Sequence, residues 1–215
     1  MVVCSHPYDA TFALGGVIGA FADAGASIRL LCFTHSRHAD PDPGHRIIKA
    51  NELGDAARVL GISEVTLLDY QPGRLGIIRV EELTAQVVEA SAGADALLVV
   101  GSSWTTTMDS DHAQIERAAI RAATRLGDPL FAWTPGSADQ EHGCDILAVP
   151  VDRRRQQDAA ACHLALPSDD PLRTRWERLR NEHEDLVVLC AESTPSAGGR
   201  RRRRHPASPR CRTGG

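Results

Sequence analysis

Met1-Val2-Val3-Cys4-Ser5-His6-Pro7-Tyr8-Asp9, running on through Phe12-Ala13-Leu14-Gly15-Gly16, is the stretch whose reading decides the fold. A short apolar run, Val2–Ser5, gives way at once to a turn that carries an imidazole and a carboxylate three residues apart. Apolar side chains then recur at helical spacing from Phe12 to Ala24, and Gly25 closes the segment. Strand, turn and helix in that order read as the opening βα unit of a parallel sheet. The turn is where such a unit mounts its polar chemistry.

The pattern repeats along the chain. Ile28–Thr34 is a buried-strand candidate, and a loop rich in Pro, Asp and His follows it to Gly44. A helix is predicted over His45–Leu60, with Ile47, Ile48, Leu53, Ala56, Ala57 and Leu60 inward and Gly61 as its stop. Val65–Leu68 is a third strand, Val80–Ala90 a helix, and Ala94–Val100 a strand apolar enough to be covered on both faces. A polar loop, Gly101–Met108, leads into a helix from about Asp109 to Leu126. Leu130–Trp133 and Ile146–Val151 read as later strands, Arg153–Leu164 and Leu172–Glu184 as later helices. The expected fold is α/β: a single Rossmann-like domain with a mainly parallel sheet flanked by helices, spanning residues 1–192. From Ser193 the chain turns to Ser, Pro, Gly and Arg, so residues 193–215 are expected to form a disordered Arg-rich tail.

At 215 residues the chain suffices for one well-buried domain. Aromatic residues make up only 4%, so Leu, Val, Ile and Ala must fill the core. Residues 200–215 hold seven arginines and no acid; setting those aside leaves 17 basic residues against 28 acidic ones, a body near −11. That charge argues against nucleic acid as a partner. No run reaches the ~20 apolar residues of a membrane span, and no basic segment precedes the first apolar run. The six cysteines form no CxxC pair, so buried free thiols and a reducing, cytoplasmic setting are expected. Composition says nothing of oligomeric state.

Sites in open parallel sheets gather at the carboxyl ends of the strands. His6 and Asp9 follow the first predicted strand, and the Asp109–His112 segment follows the fourth. His6, Asp9 and His112 together would offer two imidazoles and a carboxylate, a donor set suited to Zn²⁺ at an open site. Alone, an HxxD pair is better explained by a turn with a capping Asp. His35, His38 and His45, with Asp40 and Asp42, read as solvated loop residues near a substrate mouth. Gly15-Gly16 lacks the GxGxxG context of a dinucleotide site and is read as helix packing.

These motifs resemble the PIG-L/LmbE family of zinc-dependent N-deacetylases, over most of residues 1–190. Ser5-His6-Pro7-Tyr8-Asp9 with Leu14-Gly15-Gly16 is similar to the family's AHPDD and the helix after it. Lys49-Ala50-Asn51-Glu52-Leu53 with Leu60-Gly61 resembles RxxE followed by LG, and Leu68-Asp69-Tyr70 a strand ending in Asp. Asp109-Ser110-Asp111-His112 stands where the family has HPDH, and Cys162-His163-Leu164-Ala165-Leu166 where it has an HxSQ-like segment. The resemblance implies that His6, Asp9 and His112 hold Zn²⁺. It implies catalytic roles at Tyr8, Asp109 and His163, and substrate contacts at Lys49 and Asp69. The substrate it implies is a small N-acylated sugar or glycoconjugate of the N-acetylglucosamine type.

Two of those positions depart from the family. Tyr8 replaces its general-base aspartate, and a phenol near pKa ~10 is a poor proton acceptor at neutral pH. Asp109 replaces its oxyanion-side histidine, placing negative charge where negative charge develops. Losing a positioned acid or base typically costs ~10²–10⁴ in rate. One arrangement would restore function: Asp109, three residues before His112, as base, with Tyr8 donating to the oxyanion. Two expectations therefore stand: a hydrolase of a carbon–nitrogen amide bond, and a non-catalytic zinc- or sugar-binding protein on the same scaffold.

Overall fold

The computed structural model describes residues 1–39, 42–101, 110–134, 145–166, 171–177 and 182–189. Asp109 and the expected tail lie outside the described residues. Seven strands form one sheet: β1 (Val2–Cys4), β2 (Ile28–Thr34), β3 (Ile62–Tyr70), β4 (Leu97–Val100), β5 (Leu130–Trp133), β6 (Ile146–Pro150) and β7 (His183–Leu189). Their order is β3-β2-β1-β4-β5-β7-β6, with β1 to β5 parallel and β6 and β7 joined antiparallel. Among the described residues the α-helices are α1 (Gly15–Asp23), α2 (Pro43–Leu60), α3 (Val80–Ala90), α4 (Ser110–Leu126), α5 (Arg153–Ala160) and α6 (Pro171–Glu177). The α/β fold with a mainly parallel sheet is as expected.

Alternation along the strands builds the layers, because successive side chains point to opposite faces. Val2, Cys4, Ile28, Leu30, Cys32, Leu98 and Val100 pack with α1, α2 and α5. Val3, Leu31, Phe33, Leu97 and Val99 pack with α3 and α4. Both faces of β1 are covered, which is why its three residues carry no polar side chain. Cys4, Cys32 and Cys162 are free, and burial raises the thiol pKa of each. Among the described residues no helix is long and apolar enough to cross a membrane.

The chain leaves β1 through a π-helical turn, Asp9–Ala13, before α1 begins. A π turn shifts the hydrogen-bond ladder by one residue and leaves carbonyls to be satisfied elsewhere. Gln156 of α5 does this: its fully buried amide donates to Thr11 O at 2.8 Å. Its side chain lies over Gly15, where an added Cβ would meet Gln156 Cγ at 2.8 Å. The glycine pair is thus packing, as read from the sequence.

Some elements differ from the sequence reading. Helix α2 starts at Pro43, with Asp42 capping Gly44 N–H at 2.8 Å, and ends at Gly61 in the left-handed region. Ile47 and Ile48, expected inward, are exposed. The helix expected over Arg153–Leu164 stops at Ala160, so His163 sits on a turn. The helix expected over Leu172–Glu184 is described over Pro171–Glu177, and the apolar run Leu186–Leu189 lies within β7 instead. There it pairs with β5, burying Leu186 in the core.

Two glycine substitutions should act in opposite directions. Gly15→Ala drives a methyl into a buried, bonded glutamine and should cost about 1–3 kcal/mol. Gly54→Ala, inside α2 with nothing within 4 Å of the new Cβ, should gain about 0.5–1 kcal/mol. Urea unfolding of both variants checks the pair; a neutral Gly15→Ala would contradict the packing described here.

Candidate active site

Topology brings the two halves of the site together. The chain winds β1, β2, β3 in one direction, then returns to place β4 on the other side of β1. The crevice between β1 and β4 is the switch point of the sheet, where sites form at carboxyl ends. His6 and Asp9 follow β1, and His112 lies in the first turn of α4, the helix after β4.

Two hydrogen bonds and one ring contact orient this group. Asp9 Oδ2 accepts from the His6 N–H at 2.8 Å, and Asp9 Oδ1 lies 3.0 Å from His112 Nε2. The His6 and His112 rings meet edge to face, centroids 5.1 Å apart. His6, Asp9 and His112 are each 1% exposed. Burial raises the Asp9 pKa, but the charges and hydrogen bonds of His112 and His6 outweigh it and hold the carboxyl below its usual value.

Thr34, at the end of β2, decides which His6 nitrogen faces the site. Its Oγ1 lies 2.8 Å from His6 Nδ1, 2.9 Å from Ser5 O and 2.8 Å from Ser36 O. The hydroxyl has one proton, and carbonyls can only accept, so Oγ1 must receive a proton from His6 Nδ1–H. In the neutral ring the lone pair is then on Nε2, free to meet a metal ion. Two ligands about 2.0–2.1 Å from a tetrahedral ion lie roughly 3.3 Å apart, close to the Asp9–His112 separation. The donor set fits such an ion. Among the described residues no three such side chains are already gathered as a complete metal-binding group.

Asp111 was not singled out from the sequence beyond its place in the motif. It is fully buried and accepts from Gly73 N–H at 2.7 Å and Leu75 N–H at 2.9 Å, tying the head of α4 to the loop after β3. Its Oδ2 also lies 3.8 Å from His6 Nε2. Tyr8, between the two β1 donors in sequence, is buried and stacks edge to face on both Phe12 and His163, the latter at 5.1 Å. His163 Nε2 is 2.9 Å from Thr11 Oγ1, and its carbonyl accepts from Arg173 at 3.1 Å. Glu52 holds the same turn by accepting from Ala165 N–H at 2.7 Å. Tyr8 and His163, predicted separately, are thus in contact.

The predicted substrate residues separate. Asp69, exposed at the end of β3, lines a cavity of about 400 Å³ with His35, Ser36, Arg46, Tyr70 and Gln71. Lys49 is half-buried one turn further along α2. Arg46 is the residue bonded to Asp69. The available signal was its position three residues before Lys49, on the same helix face. Thr34 could have been found as the polar end of a buried strand beside β1.

Burial, with Arg173 adding to it, pushes the His163 pKa down to about 4. An unfolded histidine protonates near 6.5, so the unfolded chain takes up this proton first. Stability linked to His163 is complete above about pH 6.5 and is lost as pH falls through 4. His163→Gln should flatten the decline of the urea midpoint between pH 6.5 and 4.5; an unchanged slope would refute this.

Comparison with known proteins agrees with the fold and the motifs. No curated protein matches the chain. Among solved structures, the zinc inhibited form of teicoplanin deacetylase Orf2 superposes with a TM-score of 0.63 and 12% identity, covering 87% of this chain and 97% of that one. The N,N'-diacetylchitobiose deacetylase of Pyrococcus horikoshii has a TM-score of 0.62 and 18% identity, covering 87% and 83%. GalB, the 4-carboxy-2-hydroxymuconate hydratase of Pseudomonas putida, has a TM-score of 0.59 and 16% identity, covering 92% and 98%. One architecture thus accompanies deacetylation and hydration, and these likenesses carry the fold alone. Residues 1–123, which include His6, Asp9 and His112, match the profile described as PIG-L: GlcNAc-PI de-N-acetylase, and the chain belongs to that family.

Proposed function

We propose that this chain is a zinc-dependent hydrolase that removes acetyl from the nitrogen of an N-acetylglucosamine-type glycoconjugate. The observation that carries the reading is the convergence of Asp9, His112 and a His6 whose tautomer Thr34 dictates. These three residues would hold the zinc. When bound, it would polarise the amide carbonyl and lower the pKa of water towards ~7.

The remaining roles belong to the chain itself. Asp109 takes the proton of the attacking water, filling the role that Tyr8 cannot serve. Tyr8 donates a hydrogen bond from its phenol to the carbonyl oxygen as negative charge grows there. His163, at the Tyr8 ring, belongs to the same catalytic group. Asp69 contacts the sugar from the cavity wall, and Lys49 contributes positive charge on the same face of α2. The structural relatives that are deacetylases of teicoplanin and of N,N'-diacetylchitobiose support this reading.

The burial of Tyr8 at the expected base position favours a second reading, a zinc- or sugar-binding protein without turnover. Metal analysis and an amine-release assay on N-acetylglucosaminyl compounds separate the two. Bound zinc without amine release selects the binding protein, and no stoichiometric metal removes both.

Two variants test the assignments. Thr34→Val leaves His6 without its Nδ1 acceptor and should weaken zinc about 10–100-fold by competition with a chromogenic chelator; undiminished affinity would remove Thr34 from the account. Asp109→Asn should keep its zinc and lose amine release, whereas retained turnover would exclude Asp109 as base.

A further inference from the structure

Arg46 has no assigned role, yet it lines a cavity at the rim beside β2 and β3. It donates to Asp69 Oδ1, and His35 Nε2 lies 3.9 Å from the same oxygen. Asp69 is 73% exposed and Arg46 39%. An ion pair so open to water adds little to stability, so holding the fold together does not account for it. Its geometric effect is larger. With Oδ1 engaged by the guanidinium, the carboxylate plane is fixed, and Oδ2 keeps lone pairs that can only accept.

Charge narrows what could bind. Burial, with Arg46 next, lowers the His35 pKa, so its imidazole is neutral at pH 7. Arg46 and Asp69 cancel, and Ser36, Tyr70 and Gln71 are uncharged. A cavity of about 400 Å³ falls within the usual range for small-molecule sites. Among the described lining residues the charges cancel, Lys49 is not one of them, and a fixed acceptor in such a wall suits hydroxyl donors.

We propose that Arg46 is a positioning residue that sets substrate specificity: by pinning Asp69, it makes the cavity select a neutral polyhydroxylated ring over an anionic one. The proposal rests on the N-deacetylase reading for the identity of the ring.

Calorimetric titration of the zinc-loaded full chain with N-acetylglucosamine and with N-acetylglucosamine 6-phosphate tests it, alongside KM and kcat for amine release. The unaltered protein should prefer the neutral sugar. Arg46→Ala should weaken that binding about tenfold, raise KM more than it lowers kcat, and leave the thermal midpoint in place; Arg46→Lys should recover part of the loss. Unchanged neutral-sugar binding in Arg46→Ala, a preference for the phosphate, or no sugar binding at all would overturn the assignment. The expected binding pattern without amine release would sink the hydrolase reading and leave the role of Arg46 standing.

Discussion

The carboxylate of Asp9 is the constraint around which this molecule is organised. One oxygen closes the turn after β1 by accepting from the His6 N–H, and the other reaches His112, 103 residues away in sequence. Both partners are shut off from water. Breaking a pair of this kind strands a buried charge and costs about 3–5 kcal/mol. The first turn of the chain and the head of α4 are therefore one rigid unit. The parallel order of β2, β1 and β4 beneath them is what allows the contact.

A second set of bonds supports the other side of the site. The π turn that carries Asp9 leaves a carbonyl that Gln156 satisfies, so α5 must lie against it. Glu52 and Arg173 then hold the turn after α5 by its backbone, presenting His163 to Tyr8. On the far side of His112, Asp111 grips the loop after β3 through two N–H groups. The metal-ligand candidates, the Tyr8–His163 contact and the cavity wall are thus connected through buried polar bonds.

Much of the parallel half of the molecule was legible in the sequence. Strands covered on both faces read as continuous apolar runs, and Ile28–Thr34 or Leu97–Val100 leave little ambiguity. The antiparallel end was harder. His183–Leu189 follows a charged helix, and only its pairing with β5 makes a strand of it. Ile47 and Ile48 carry helical apolar spacing yet face solvent, because α2 packs through Leu53, Ala56, Ala57 and Leu60. The candidate site divides in the same way. His6, Asp9 and His112 were nameable from residue type and spacing, whereas Thr34, Asp111 and Arg46 act through contacts that spacing does not encode.

The sequence alone determined the alternation of elements and the candidate donor residues, since these depend on local pattern and residue chemistry, while Tyr8 and Asp109 stand out only beside the family it resembles. Tertiary structure decided which nitrogen of His6 carries the proton, that Tyr8 lies on His163, and that Arg46 engages Asp69. Each of these outcomes is set by side chains from different elements meeting at one edge of the sheet. Residues distant in the chain share that edge because of strand order, and strand order is a property of the packed core.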